Sequence, residues 1–258
     1  MFYKSILKFQ SLYMRCARLI IGAQQNPADI AVLVRIGWMP LDYLLMYRAI
    51  IWFLKGRRGL AGPALRDLIL KWESSKSRKH GFGARIFRPS MDAVKRFQPL
   101  ITNVDLLSAP IDHCCTALRK TMFMELTSSW QSSSNARFTF SLHPLWTDRK
   151  LPSTMHSRCT HSWYHSVALG RGPFRDRLRK MRKRPDDSCR YGCGVSEDAD
   201  HVLLRCPVVA KYRNQLRKVC CARELQFDLR TLLTSEKLYI GVEKLFAAFM
   251  APDDATDA

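Results

Sequence analysis

The sequence predicts a mostly α-helical protein, with a larger helical part followed by a small module organised around cysteines and a histidine. Three observations predict it. Apolar residues recur at spacings of three and four in segment after segment. Proline stands at the start of several of these segments, where a missing N–H costs nothing. Alternation with period two is confined to one short stretch. With 258 residues and 47% hydrophobic content, the chain can bury a real core.

The elements follow in order. Ile6, Phe9, Tyr13, Cys16 and Ile20 predict an amphipathic helix over residues 3–22, with Lys4, Lys8, Arg15 and Arg18 grouped on another side. That basic side reads either as a solvated outer face or as a face laid along a phosphate backbone. Asn26-Pro27-Ala28-Asp29 is a helix start, and Gly37 marks the stop. Met39-Pro40-Leu41-Asp42 starts the next helix, expected to stop at Gly56; Gly62-Pro63 opens another to about Lys71. Ser74 to Pro89 is polar, basic and glycine-containing, and reads as a loop or linker. Leu118, Met122, Leu126 and Trp130 carry a helix over 111–130, after which a serine cluster marks a break. Arg137 to Leu142 alternates, so a short strand is expected there. Further helices are expected at 156–169, 173–183, 207–222 and 236–249, then a frayed acidic tail.

Lys plus Arg number 42 and Asp plus Glu 22, a net charge of +20. A surplus of that size repels itself unless a polyanion is the usual partner. Nucleic acid is the leading candidate and an anionic membrane surface the second. The most apolar stretch, Ala31 to Leu54, is interrupted by Arg35, Pro40, Asp42 and Arg48, so no membrane span is expected. Lys4, Lys8 and Arg15 interrupt any signal-peptide core, and the expected location is nuclear or cytoplasmic rather than secreted.

Four residues carry the chemistry. Cys189-x3-Cys193-x7-His201-x4-Cys206 offers three thiolates and an imidazole within eighteen residues, a complete tetrahedral set for a structural zinc ion. Gly192 and Gly194 flank Cys193 and allow a tight turn, and Asp198 and Asp200 stand where they could start the turn that carries His201. The adjacent pairs at 114–115 and 220–221, and Cys16 on an apolar helix face, read as small buried hydrophobes in a reducing compartment, and Cys159 is assigned no role. Arg171, Arg175, Arg177, Arg179, Lys180, Arg182, Lys183 and Arg184 precede the motif, eight cations in fourteen residues. Arginine's planar fork suits phosphates and bases, so this stretch is the candidate nucleic-acid contact; a localisation signal or a solvated helix is the alternative. No clustered carboxylates, phosphate-binding glycine loop or hydrolase signature points to a catalytic residue.

These residues resemble a known family. The cysteine–histidine motif, with His201-Val-Leu-Leu-Arg-Cys206-Pro, resembles the one near the C-terminus of LINE-type (non-LTR) retrotransposon reverse transcriptases. Ala168-Leu-Gly170-Arg-Gly172-Pro-Phe174-Arg-Asp-Arg-Leu178 is similar to the glycine-rich segment before that motif. Trp130 through Thr139 and His143-Pro-Leu-Trp146 are similar to a tryptophan-rich connector, and Val32 through Asp42 to a thumb segment. The resemblance implies a thumb-like helical region at 1–73, a linker and connector at 74–150, a basic region with a CCHC zinc-knuckle-like module at 151–222, and a C-terminal helix and acidic tail at 223–258. It further implies a C-terminal portion of an RNA-directed DNA polymerase, a nucleotidyltransferase whose magnesium-binding aspartates lie upstream of Met1. The partners would be template RNA, target DNA and the upstream polymerase domain, and this portion alone would be inactive. A zinc-stabilised protein-interaction module of a domesticated element remnant is the alternative.

Overall fold

The computed structural model describes residues 2–22, 28–74, 82–134, 136–147 and 158–251. Among them helices carry most of the chain, and the one β-type pairing is an isolated antiparallel bridge between Ser188 and Ser196. The mostly α expectation therefore holds. The acidic tail from residue 252 and the Asn26-Pro27 helix start lie outside the described residues. No single helix among the described residues is long and apolar enough to cross a membrane.

The chain forms two compact units, residues 39–129 and residues 1–38 with 130–258. Their boundaries fall inside the 1–73 and 74–150 segments read from the sequence.

The 39–129 unit is built from α3 (Leu41–Arg57), α4 (Pro63–Ser74), α5 (Phe82–Phe97) and most of α6 (Ile111–Ser132). Its core holds Ile50, Phe53, Leu54, Phe87, Phe97, Leu118 and Met122, all buried. Phe87 is the centre of an aromatic group, with ring centroids 6.0 Å from Trp52, 6.5 Å from Phe53 and 5.7 Å from Trp72. Such offset pairs add to the area they bury. Gly56 does not end α3. A Cβ on it would stand 2.8 Å from Ile69 Cδ1, so glycine there lets α4 approach closely.

The other unit contains α1 (Phe2–Ile20), α2 (Asp29–Ile36), α7 (Arg137–Leu142), α8 (Arg158–Ala168), α9 (Arg175–Lys180), α10 (Ala210–Ala222), α11 (Leu229–Thr234) and α12 (Tyr239–Met250). Helix α12 is its spine. Tyr239, Val242, Leu245, Phe246 and Phe249 are buried, and α12 packs on α8 and α10. A Cβ on Gly241 would lie 2.6 Å from Leu216 Cδ2, so glycine sets the α10–α12 approach. Helix α2 buries every residue from Ala31 to Ile36, Arg35 included. The Arg35 guanidinium donates to His165 Nδ1 at 3.1 Å and to the Leu233 carbonyl at 2.8 Å, lies 2.8 Å from His143 Nε2, and rests over the Tyr164 ring at 5.0 Å. A buried cation is tolerable only when so surrounded. Tyr164 and His165 pack edge to face beside it, with ring centroids 5.3 Å apart.

Four local expectations are corrected. Arg137–Leu142 is a helix, not a strand: Thr139 and Leu142, three apart, are the buried positions, and the Thr139 hydroxyl donates to the Ala168 carbonyl. Phe82 to Pro89 is not loop but the first half of α5. Phe87, Ser90, Val94 and Phe97 form a buried stripe at helical spacing that outweighs Pro89, which faces solvent. Among the described side chains of α1, Met14 and Ala17 are buried, as is Ile21 just after it, while Phe9, Cys16 and Ile20 are exposed. Of the adjacent cysteine pairs, Cys114 and Cys220 are buried but Cys221 is exposed.

Candidate metal centre

The sequence Cys189-Arg-Tyr-Gly-Cys193-Gly folds into consecutive tight turns. The Cys189 N–H donates to the Val195 carbonyl at 2.8 Å, and the Gly192 N–H to the Cys189 carbonyl at 3.0 Å. Gly192 and Gly194 take φ of +71° and +72° with open space where a Cβ would stand. Glycine is needed there for its backbone conformation, not for room. Two of the three residues between the cysteines anchor the loop. Tyr191 donates to the Phe249 carbonyl at 2.6 Å, and the Arg190 guanidinium lies 4.9 Å from the Phe249 ring centre.

His201 and Cys206 come from the other side. In an α-helix, residues five apart diverge around the axis. Here residues His201–Arg205 form a wider, π-type turn, closed by the Cys206 N–H donating to the His201 carbonyl at 2.6 Å. That turn brings both side chains to one point. Asp198 starts it by accepting the His201 N–H at 2.7 Å, while Asp200 pairs with Arg205.

The ligand atoms of Cys189, Cys193, His201 and Cys206 all lie within 4.8 Å of one another, and Cys193 Sγ is 3.9 Å from Cys206 Sγ. Cys189, His201 and Cys206 are buried and Cys193 is half-buried. His201 Nε2 is buried with no hydrogen-bond partner. Burial, with Cys189 and Cys206 as neighbours, pushes the Cys193 thiol up to about 12; burial likewise raises Cys206 and lowers His201. Crowded thiols without a counter-charge keep their protons, whereas a bound cation takes them as thiolates. Three sulfurs and a neutral imidazole converging around an orphaned ring nitrogen fit one metal ion.

Two residues that sequence reasoning missed support this cluster. Glu197 is fully buried and gathers the loop. It accepts from the backbone N–H groups of Arg175 at 3.2 Å and Arg190 at 2.9 Å, and from the Arg190 guanidinium at 2.7 and 3.0 Å. Arg213, on α10, is 5% exposed; it donates to the Cys206 carbonyl at 2.6 Å, and its second terminal nitrogen is buried without a partner. The signal for Glu197 was a lone acid-rich stretch, 197–200, inside a basic region. For Arg213 the helical spacing Val209–Arg213–Leu216–Cys220 puts an arginine on an apolar face.

The predicted contact cations divide. Arg175 pairs with Glu197 and Asp186, Arg179 with Asp187, Lys180 with Asp176, and Arg18 with Asp29. Arg171 and Arg177 are half-buried. Lys8, Arg15, Arg182, Lys183 and Arg184 are exposed. The Lys4 side chain lies outside the described residues. Helix α9 is shorter than the 173–183 expected: it ends at Lys180, where Arg182 takes a left-handed φ of +57° and the Lys183 N–H closes back on the Leu178 carbonyl.

No family model matches this chain, and neither a curated protein nor a solved structure shows significant similarity to it.

Proposed function

We propose that this chain is a nucleic-acid-binding C-terminal portion of a LINE-type reverse transcriptase, whose CCHC module is ordered by one structural zinc ion. The observation that carries the reading is the four-ligand cluster, with its orphaned His201 Nε2, directly after the exposed cations Arg182, Lys183 and Arg184. Zinc with three thiolates and one imidazole is a closed set that folds a short loop without offering a reactive position. The cations beside it then meet phosphates of template RNA or target DNA during target-primed reverse transcription. The polymerase aspartates and their magnesium belong to the upstream domain in this reading. Replacing Arg182, Lys183 and Arg184 together by alanine should flatten the logarithmic salt dependence of RNA binding by roughly 2, at ~0.7 per neutralised phosphate on a single strand. An unchanged slope would remove this segment from the interface.

A second reading has one specific observation in its favour. Arg175, Arg179 and Lys180 are occupied by acids of the same chain. A zinc-stabilised protein-interaction module would use such pairs structurally, and its complexes would withstand added RNA or DNA.

A further inference from the structure

Beside the metal cluster, and separate from it, the unit 1–38 with 130–258 holds a pocket of about 290 Å³. Phe138, Val167, Phe174 and Leu229 make its apolar lining. Its polar lining contains three acids and two cations. Each acid has a partner within the chain: Asp176 holds Lys180, Asp198 holds the His201 N–H, and Asp200 holds Arg205. Arg177 is different. Its Nε is buried with no hydrogen-bond partner although it lines an open cavity. A guanidinium with an unsatisfied buried donor at a cavity wall calls for an anionic acceptor.

We propose that this pocket takes one unpaired nucleotide of a bound nucleic-acid strand, its base against the apolar lining and its phosphate at Arg177. Aromatic and aliphatic walls suit the flat face of a base, which unpaired strands can splay out of the stack. Arginine's fork suits the phosphate. The volume sits at the small end for ligand pockets, which fits a single base and not a larger group. Gly170 and Gly172 keep the lining close. A Cβ on Gly170 would lie 3.2 Å from Phe138 Cβ, and one on Gly172 would lie 2.7 Å from Phe174 Cε2. This proposal rests on the nucleic-acid reading above and extends it from phosphate contact to base contact.

The test compares a 12-nucleotide single-stranded RNA with a strand of equal length made of abasic sites. The intact chain should bind the base-bearing strand about 10-fold tighter, as one or more stacked bases at ~1–3 kcal/mol each allow. Leu229→Trp, which fills the pocket, should remove that difference; Arg177→Met should weaken both. A 4-thiouridine strand irradiated on the unaltered protein should cross-link to Phe138 or a neighbouring pocket residue, a readout independent of how the variants fold. Equal affinity for the two strands, or cross-links confined to residues 182–184, would overturn the pocket while leaving the broader reading standing. No binding of either strand would overturn the broader reading itself.

Discussion

The 39–129 unit and the 185–209 segment are held together by different physics. In the first, four helices bury Phe53, Phe87, Phe97, Leu118 and Met122 against one another, and the polar contacts are incidental to that core. In the second, the buried side chains include four polar or ligating groups, Cys189, Glu197, His201 and Cys206, and the backbone makes tight turns with almost no regular ladder. An apolar core stabilises by area, about 25 cal/mol per Å² buried. A short loop with few apolar residues has too little area to offset its backbone entropy, and a metal bound at the four-residue cluster would supply the difference. The contrast teaches where to look for ligand-dependent folding: in the segment whose interior is made of donors.

That contrast can be broken or sharpened in four ways. Cys193→Ser or His201→Ala should release about one zinc per chain and open residues 185–220, because a structural zinc contributes ~10 kcal/mol or more to such a segment. Hydrogen exchange should rise throughout that segment and stay unchanged over 39–129. Phe87→Ala should do the reverse, lowering the stability of the 39–129 unit by about 3–5 kcal/mol in denaturant titrations with zinc content unaltered. Glu197→Ala strands the Arg190 guanidinium and two backbone N–H groups; a loss of ~3 kcal/mol is expected, confined to the metal-bearing segment and read as a lower midpoint for zinc-linked unfolding. Arg213→Met should have the smallest effect, weakening zinc by ~10-fold in competition with a chelator, because zinc with three thiolates leaves a net negative charge that the buried guanidinium offsets. Should Arg213→Met bind zinc as tightly as the unaltered chain, that charge balance is absent.

What was legible in the sequence was what is local. The four residues of the cluster lie within eighteen residues and need only two turns to meet, so their spacing sufficed. Helix α6 was legible for the same reason, since Leu118, Met122, Leu126 and Trp130 declare one buried face and are all buried. The rest depended on contacts between distant segments. Helix α11 escaped notice because its only local mark is Asp228 accepting the Thr231 N–H at 2.7 Å, across a helix of six residues. Helix α5 was hidden by Pro89, and its buried stripe has value only against α3 and α4. The basic run before the motif read as a single surface, yet Arg175 folds back onto Glu197, twenty-two residues later. Charge counting cannot distinguish a cation that faces solvent from one already paired; that is decided by the fold.

The most direct test of the central claim is the metal content of the purified chain, measured by elemental analysis together with native mass spectrometry. One zinc per chain, lost on chelation along with protection of residues 185–220, is the predicted result. A metal-free protein whose 185–220 segment is as protected from exchange as its 39–129 unit would contradict it.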